Sequence, residues 1–458
     1  MATNETLYMR LYYDIRRRIQ TGALTVGERL PSKRSLAQSM GISVNTVDAA
    51  YAQLCAEGFV VSRERSGFYV CQIDELARPE MPQEAKKEPP LSDKEAEIDF
   101  SPSGLAADLF PYATWRRLMK NAFNEYDETL LKRAPAQGDE GLRHAISSYI
   151  WNARGVRADV DSIVVGAGSS DLMQILSFIL PGQWTLAVEN PVYNAAYRFF
   201  EAGGHKVLPV DVDRHGIPTE PLTDLDRAVV YTTPSHQYPL GFSMPISRRI
   251  KLLNWAAAGT ERYIIEDDHD SEFRYGGRPI PSLAGIDESG KVIYMGTFSR
   301  SVSPALRIGY MVLPRPLLER YRECWQGLPS AVSSFDQRVL REFMEGGHFE
   351  RHLSRLRQRY KTRRDELTAA LAPFGKELKI VGDNAGCHLT VKLTGGMSQK
   401  EMCGRAMDRG VKVYPVSDYF IGEMDPIYES KVLLGYGGLT SEEIKKGAAL
   451  LLQAWSTT

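Results

Sequence analysis

A chain of 458 residues is too long for one hydrophobic core and predicts two or three domains. Its composition, 43% hydrophobic and 25% charged residues, is that of an ordinary globular protein, and the formal net charge of −1 excludes a chain that is basic throughout. No basic and apolar leader opens the sequence and no apolar stretch reaches the length of a membrane span, so we expect a cytoplasmic protein. The five cysteines lack a CxxC spacing, which argues against a disulfide framework and against a zinc site.

The first seventy residues predict three helices followed by two short strands. Residues 7–20 carry an apolar residue at every fourth position, which is typical of an amphipathic helix. A second helix begins at Ser32 and ends at Gly41, and a third begins at Ser43, because serine is a common N-terminal cap and glycine a common stop. Two short helices joined by a glycine turn, followed by two strands around a polar turn in residues 59–70, indicate a winged helix-turn-helix.

Basic residues are enriched in this N-terminal segment. Nine Lys or Arg residues stand against six Asp or Glu residues between positions 1 and 71. Such an excess fits contacts with DNA phosphates, which position a module while a helix N-terminus contacts the bases. The alternative is that these polar residues only cap and solvate a small helical domain.

The stretch LPSKRSLAQSMGISVNTVDAAYAQLCAEGFV, residues 30–60, resembles the DNA-binding domain of the GntR regulators. Two departures from the family pattern, Val44 in place of a common arginine and SGFYV in place of SGTFV in the wing, indicate an altered operator preference. The resemblance implies that a double-stranded DNA operator is contacted by nine residues: Ser32, Lys33, Arg34, Ser43, Asn45, Thr46, Arg63, Arg65 and Gly67.

The composition changes abruptly after the winged helix-turn-helix. Residues 73–98 contain four prolines among alternating Lys and Glu residues and few residues that form a core, which predicts a flexible linker. The predicted organisation is therefore a DNA-binding domain in residues 1–72, this linker, and a larger domain in residues 99–458. A linker of this kind lets the two domains reorient, as a ligand-controlled switch requires.

The larger domain has the pattern of an α/β protein. From residue 99 onward, short β-rich runs alternate with helical patterns, which predicts a mostly parallel sheet. After residue 329 the pattern becomes helical, with a long charged amphipathic stretch from Asp336 to Leu371, and then returns to short strands. This change predicts a second, smaller α+β domain.

Two glycine-containing turns carry the features of a phosphate site. The stretch GTFSRSVSPALRIGY, residues 296–310, follows a predicted strand and brings the hydroxyls of Thr297 and Ser299 and the guanidinium of Arg307 within reach of one phosphate. The stretch GAGSSDL, residues 166–172, leads from a strand into a helix. At such a helix N-terminus, backbone N–H groups and serine hydroxyls bind phosphate well. Its contributing residues are Gly168, Ser169 and Ser170.

These motifs, together with ENPVY, TPSHQYPLG and EDDHDSEFRY, resemble in order and spacing the fold-type I pyridoxal-phosphate domain of the MocR/GabR regulators. The resemblance implies an aminotransferase-like fold in which Tyr193 stacks on the pyridine ring and Asp267 pairs with its nitrogen. It places His236 in the cofactor site without an acid–base role. The family's cofactor lysine is replaced by Arg300, and the tyrosine that touches the ring 3-hydroxyl is replaced by His269.

These replacements argue against turnover. A guanidinium remains protonated and does not condense with an aldehyde, whereas a desolvated lysine does. The arginine that clamps the carboxylate of α-amino acids in many aminotransferases has its counterpart in Leu433. We therefore expect no catalytic residue and no metal ligand, and a ligand-responsive DNA-binding transcription regulator that acts as a homodimer. Its aminotransferase-like domain is expected to bind pyridoxal 5′-phosphate, an amino-acid adduct of it, or a related small anion without covalent Schiff-base formation.

Three alternatives stay open at this point. The site is repurposed for a different phosphate or carboxylate with Arg300 as its partner. The chain is a working pyridoxal-phosphate-dependent aminotransferase fused to a DNA-binding head, which the missing lysine disfavours. Finally, the arginine is an introduced substitution, against which His269 and Leu433 count as independent departures.

Overall fold

The computed structural model describes residues 6–72, 96–124, 128–276, 281–325, 327–382 and 384–456. Its contacts divide the chain into two compact units, Met1–Asp93 and Lys94–Thr458. Residues 73–95, most of the predicted linker, lie outside the described residues, so the predicted domain boundaries stay predictions. Ile98, the last residue of that predicted linker, is 1% exposed and belongs to a strand of the larger unit.

The smaller unit is a winged helix-turn-helix, as predicted. Tyr51 and Leu54 are fully buried in its core, packed among the apolar residues of the first helix. The two strands pair in antiparallel register from Val60 with Val70 to Arg63 with Gly67. Its elements are α1 (Leu7–Gln20), α2 (Lys33–Met40), α3 (Val44–Ala56), β1 (Val60–Arg63) and β2 (Gly67–Val70).

Serine caps determine where the second and third helices begin. The Ser32 hydroxyl accepts a hydrogen bond from the backbone N–H of Ser35 at 3.2 Å, and the Ser43 hydroxyl accepts one from that of Thr46 at 3.1 Å. A cap of this kind stabilises a helix by about 1 kcal/mol. Gly41 ends α2 in the left-handed conformation, with φ of 65°, which glycine adopts without strain. The turn between the helices is therefore encoded locally.

The larger unit alternates strands and helices through its first two thirds. Its parallel strands are short apolar runs, fully buried in β4 and β7, as expected for a sheet covered on both faces. The elements up to the end of this alternation are β3 (Ile98–Asp99), α4 (Tyr112–Asn124), α5 (Glu140–Arg154), β4 (Ile163–Gly166), α6 (Ser169–Ile179), β5 (Thr185–Asn190), α7 (Ala195–Ala202), β6 (Lys206–Asp211), β7 (Ala228–Thr232), α8 (Ile246–Ala257), β8 (Arg262–Asp268), α9 (Leu283–Ile286), β9 (Val292–Thr297), β10 (Gly309–Val312) and α10 (Arg315–Trp325).

Seven of these strands form one sheet in the order β4-β10-β9-β8-β7-β5-β6. Strand β10 is antiparallel to both of its neighbours, and the other six strands run in one direction. The carboxyl ends of the parallel strands therefore lie along one edge of the sheet, which is where α/β proteins place their binding sites.

The remainder of the chain begins with a helix, residues 334–345, that packs with α4 and α5 in a core shared with the large sheet. The smaller α+β part follows it. Strands β11, β12, β15 and β14 form an antiparallel sheet, while β13 pairs in parallel with β3. The elements are α11 (Ser334–Glu345), α12 (His348–Leu371), β11 (Leu378–Val381), β12 (His388–Leu393), α13 (Gln399–Met407), β13 (Val411–Lys412), β14 (Tyr414–Pro415), β15 (Lys431–Gly435) and α14 (Ser441–Trp455).

The long amphipathic stretch predicted from Asp336 to Leu371 is two helices. α11 ends at Glu345 and α12 begins at His348, and Gly347 between them has φ of 63° in the left-handed region. Glycine adopts this conformation readily, and it is incompatible with a continuous right-handed helix. Within the described part of the chain, no helix is long and apolar enough to cross a membrane.

Candidate functional site

A cavity of about 210 Å³ lies at the carboxyl edge of the large sheet. Nine of the residues predicted from the sequence line it, namely Ser169, Ser170, Tyr193, Asp267, His269, Thr297, Ser299, Arg300 and Arg307. Six lining residues were not predicted, namely Ser103, Leu105, Tyr231, Thr233, Tyr238 and Pro304. The fold thus brings together segments separated by some two hundred positions of sequence.

One end of the cavity carries the donors of a phosphate site, and we call it the phosphate end (Ser169, Ser170, Thr297, Ser299, Arg307). Ser169 and Ser170 form the first turn of α6, whose N-terminus has no side-chain cap. Across from them, the Thr297 hydroxyl donates to the Ser299 hydroxyl at 2.9 Å and accepts from the Ser299 backbone N–H at 3.1 Å. Uncapped helix N–H groups, hydroxyls and a guanidinium make this end a favourable anion site.

Arg307 and Gly168 fit against each other at this end. Arg307 has φ of 50°, a left-handed conformation that costs a non-glycine residue of order 1 kcal/mol. Its Nη2 donates to the Ala167 carbonyl at 2.9 Å. Gly168 itself does not line the cavity, but a Cβ at this position would lie 3.2 Å from the Arg307 guanidinium carbon. The glycine therefore leaves room for the arginine to reach the α6 N-terminus.

Asp267 is the residue before the last in strand β8 and offers an unsatisfied acceptor. Its Oδ2 accepts a hydrogen bond from the Tyr231 hydroxyl at 2.5 Å. Its Oδ1 is buried and has no hydrogen-bond partner among the described residues. Burial raises the pKa of this carboxyl group, while the positive charge of His269 opposes that rise. A protonated ring nitrogen would supply both the missing donor and the missing positive charge, so the residues present fit a pyridinium ring.

The opposite end of the cavity, which we call the reacting end, carries Arg300 and His269. The Arg300 Nη1 donates to the Pro102 carbonyl at 2.8 Å, and among the described residues no carboxylate lies within 4.0 Å of this guanidinium. Arg300 therefore forms an ion pair with neither Glu266 nor Asp268. Those two carboxylates are occupied elsewhere, by the backbone N–H groups at the start of α9 and by Arg154.

His269 is held by a buried carboxylate that it shares with His236. The Asp270 Oδ2 lies 3.3 Å from the His269 Nε2 and 2.8 Å from the His236 Nδ1. Burial lowers the pKa of His269, but the negative charges of Asp270 and Asp267 outweigh it and raise that pKa to about 9. The imidazole is therefore cationic at neutral pH.

His236 does not line the cavity. It is 1% exposed and lies behind His269, with its ring 6.1 Å from that ring and 5.5 Å from the ring of His388. His236 is hydrogen-bonded to Asp270, the carboxylate that also lies against His269, so it helps to position that carboxylate. The residue predicted from the TPSHQYPLG motif is thus near the site rather than in it.

The walls of the cavity are aromatic. Tyr193 is 47% exposed, and its ring meets the ring of Tyr238 edge-on at 6.2 Å. Tyr238 also packs edge-on against His269 at 5.7 Å and lies within the motif that drew attention to His236. The sequence signal for Tyr238 was its position two residues after His236, within the same motif. Tyr231 had no such signal, because its contact with Asp267 depends on β7 lying next to β8.

Leu433 does not face the ligand site. It is fully buried in β15, where it pairs with Thr390 and Tyr414 and belongs to an apolar cluster. An arginine-like clamp at this position is therefore absent, and an apolar core contact stands in its place.

The DNA-contact residues predicted in the smaller unit divide into two groups. Four are exposed and have no role in capping, namely Arg34, Asn45, Arg63 and Arg65. Ser32, Ser43 and Thr46 form the two helix caps described above. The exposed group has one residue at the start of α2, one at the start of α3 and two in the wing, and it is available to contact bases and phosphates.

Lys33 and Gly67 have structural contacts of their own. Lys33 forms an ion pair with Asp48, and its Nζ lies 4.9 Å from the centre of the Phe68 ring. Gly67 has φ of 114°, and a Cβ there would lie 3.1 Å from the Arg29 Nε. Gly67 lies next to the wing turn, where it pairs with Arg63, and Lys33 packs against the wing at Phe68.

Two family models match the chain. "Bacterial regulatory proteins, gntR family" matches residues 7–70, and "Aminotransferase class I and II" matches residues 103–447. The second match covers the unit that contains the cavity, in a fold that normally binds pyridoxal phosphate.

Regulators with both domains are similar to this chain over nearly its whole length. The HTH-type transcriptional regulator YdeL of Bacillus subtilis is 37% identical over 98% of this chain and 96% of its own. The probable rhizopine catabolism regulatory protein MocR of Rhizobium meliloti is 30% identical over 98% and 94%. The pyridoxine biosynthesis regulator PdxR of Corynebacterium glutamicum is 29% identical over 94% and 92%.

Solved aminotransferases share the fold of the larger unit. The kynurenine aminotransferase of Pyrococcus horikoshii, solved with PMP, aligns over 79% of this chain and 90% of its own, with a TM-score of 0.70 and 26% identity. Together with the two domain matches and the relatives of full length, this similarity establishes that the chain belongs to the MocR-type branch of the GntR transcription regulators, in which a winged helix-turn-helix is joined to an aminotransferase-like domain.

Proposed function

We propose that this regulator binds pyridoxal 5′-phosphate, an amino-acid adduct of it, or a related small anion in the cavity without covalent attachment, and that binding changes its affinity for operator DNA. One observation carries the proposal. The phosphate end and Asp267 offer free donors and a free acceptor, while residue 300 at the reacting end is an arginine that donates to a backbone carbonyl.

Each part of the cofactor has a candidate partner in this chain. The phosphate is assigned to the α6 N-terminus with Ser169 and Ser170, and to Arg307 on the facing side. The ring nitrogen is assigned to the Asp267 Oδ1 and the ring face to Tyr193. When bound, the cofactor supplies an aldehyde that reacts with amines, and no lysine lines the cavity among the described residues to receive it.

The relatives support a regulatory rather than an enzymatic role. YdeL, MocR and PdxR all bear names of regulators, and PdxR is named for the control of pyridoxine biosynthesis. A degenerate aminotransferase domain, a homodimer and a cytoplasmic location complete the proposal. Allostery then requires that the ligand binds one arrangement of the dimer better than another.

The cofactor part is tested by titrating the full-length protein with pyridoxal 5′-phosphate, with and without amino acids, followed by absorbance. The samples are then reduced with borohydride and their intact mass is measured. We expect saturable binding and no added phosphopyridoxyl mass. A reduced adduct on the protein would show that a lysine elsewhere attaches the cofactor, and no binding would overturn the cofactor assignment.

The regulatory part needs a DNA readout. A duplex selected by the protein from a random library serves as the probe, and its affinity is measured by fluorescence anisotropy with and without the ligand. We expect the affinity to change on ligand binding and to be lost in the double variant Arg34→Ala/Asn45→Ala, whose side chains are exposed in the smaller unit. An aminotransferase would instead convert an amino acid to its keto acid in a coupled assay, which is the outcome that favours the alternative function.

A further inference from the structure

A stretch near the start of the larger unit runs past the cavity. Residues 98–105, here called the entry segment, begin at Ile98, the last residue of the predicted linker. Ser103 and Leu105 of this segment line the cavity. The entry segment therefore lines the ligand site and, in sequence, also adjoins the linker that leads to the DNA-binding unit.

Backbone contacts hold the two ends of the entry segment. At its start, the Phe100 N–H donates to the Lys412 carbonyl at 3.0 Å, and the Gly435 N–H donates to the Phe100 carbonyl at 2.8 Å. At its far end, Gly104 packs so closely on β15's following turn that a Cβ there would lie 2.9 Å from the Gly438 nitrogen. Between these two anchors the chain makes a single turn.

Arg300 holds that turn from inside the cavity. Its Nη1 donates to the Pro102 carbonyl at 2.8 Å, across 198 positions of sequence. Among the described residues, this carbonyl accepts no other hydrogen bond. Pro102 is buried while Ser103 is exposed, so the turn passes from the interior to the surface at the point where Arg300 contacts it.

Arg300 also lacks a negatively charged partner. No carboxylate lies within 4.0 Å of it among the described residues, and it faces the cavity. A hydrogen bond from a guanidinium to a carboxylate is about twice as strong as one between neutral groups, and it forms in bidentate geometry. An anionic group in the cavity is therefore a better partner for Arg300 than the neutral Pro102 carbonyl.

We propose, resting on the proposed function, that Arg300 couples the cavity to the linker: a carboxylate on the bound ligand takes the guanidinium from the Pro102 carbonyl and loosens the entry segment. The ligand class that switches the protein is then a phosphopyridoxyl compound that also carries a carboxylate, such as an amino-acid adduct. A phosphopyridoxyl compound with only an amine binds at the phosphate end without releasing the turn.

Backbone hydrogen exchange of the full-length protein, read by mass spectrometry, tests this coupling. The probes are N-(5′-phosphopyridoxyl)-L-alanine and pyridoxamine 5′-phosphate, each at a concentration shown to saturate binding by calorimetry. We expect the alanine adduct to raise the exchange of the amides of residues 103–105 about tenfold, the effect of losing one charge-assisted hydrogen bond. Pyridoxamine 5′-phosphate is expected to leave the exchange of these amides unchanged. The exchange of α8 is expected to be unchanged with either ligand. Equal exchange with both saturating ligands overturns the ligand selectivity.

Variants of Arg300 test the coupling in the ligand-free protein. Arg300→Met removes the hydrogen bond to Pro102 and is expected to raise exchange of the same amides about tenfold in the free protein, with no further rise on adding the adduct. Arg300→Gln, which keeps a polar side chain, is the second variant in case the first does not fold. Arg315→Met is the matched control, since the Arg315 side chain is 89% exposed and pairs with Glu319, one turn along the same helix.

Different outcomes would overturn the proposed function and the coupling through Arg300. If neither compound binds, the proposed function is overturned, while the ligand-free variants still report on the hydrogen bond from Arg300. If the compounds bind and the entry segment of the Arg300 variants exchanges as slowly as that of the unaltered protein, the coupling is overturned and the proposed function stands.

Discussion

The phosphate end and the reacting end of the cavity lie on the same edge of one sheet, yet they differ in what they retain from an aminotransferase. The phosphate end has an uncapped helix N-terminus, four hydroxyls and Arg307, all of which can bind an anion without taking part in a reaction. The reacting end has Arg300, whose guanidinium remains protonated, and a cationic His269.

This difference teaches that binding and reaction are separable within one cavity. The groups that hold a phosphorylated ring depend on helix and strand termini, which the fold supplies. The reacting end instead depends on two side chains, Arg300 and His269, which line the cavity. A site of this kind is suited to report the presence of a ligand, because a ligand that is not consumed keeps the protein in one state.

Restoring the nucleophile gives the largest expected effect. In Arg300→Lys, the lysine is expected to attach pyridoxal 5′-phosphate covalently, since burial keeps a part of such lysines neutral. Borohydride reduction followed by intact mass would then show one phosphopyridoxyl group per chain, where the unaltered protein shows none. The double variant Arg300→Lys/His269→Tyr, which also introduces the family's tyrosine, is expected to form the adduct more completely. No adduct in either variant would mean that residue 300 does not occupy the position of the cofactor lysine.

Removing the phosphate partner is expected to weaken binding at the other end. Arg307→Ala deletes a guanidinium that faces the cavity, and losing a charged partner costs about 2 kcal/mol, which is roughly a thirtyfold increase in Kd. Calorimetric titration with pyridoxal 5′-phosphate measures this change, with Arg315→Ala as the control that keeps its affinity. An unchanged Kd in Arg307→Ala would place the phosphate elsewhere.

The fold follows from local patterns to a large extent. Strand β7 has the bounds that its β-branched run predicts, and the caps at Ser32 and Ser43 begin the helices that they predict. The break at Gly347 was missed although the sequence carries a signal for it, the glycine pair at residues 346–347, because the apolar pattern resumes at Phe349. Periodicity thus predicts which face is buried better than it predicts where a helix stops.

The site was predictable where its residues share one motif. Arg307 and Ser299 lie in the same loop, and Asp267 lies at the end of a strand next to Asp268, in a distinctive acidic sequence. Tyr231 and the Pro102 turn were missed because their places in the cavity come from the pairing of β7 with β8 and from a contact across 198 positions. No local pattern records such contacts, since they depend on the packing of the whole unit.

The charge of His269 gives the reacting end a pH dependence. Its pKa is raised to about 9, above its ordinary value of 6.5, so folding favours the charged form. This stabilisation is fully present below pH 6.5 and is lost as the pH rises through 9. We expect the free energy of unfolding to fall by about 3 kcal/mol between pH 6.5 and 9.5 relative to His269→Tyr, which lacks this titration. Denaturant unfolding at both pH values measures the difference, and parallel pH profiles of the two proteins would contradict it.

The smallest expected effect lies between the two ends, at Asp267. Asp267→Asn keeps the shape and the hydrogen bond with Tyr231 but removes the negative charge that a protonated ring nitrogen would meet. We expect the Kd for pyridoxal 5′-phosphate to rise about tenfold, the effect of one charged hydrogen bond. Because burial raises the pKa of this carboxyl group, its charge is unfavourable in the free protein. The thermal midpoint of the free variant is therefore expected to be equal or higher. A weaker ligand affinity together with a lower midpoint would instead mean that Asp267 is a structural residue, and the assignment of the ring nitrogen to it would be lost.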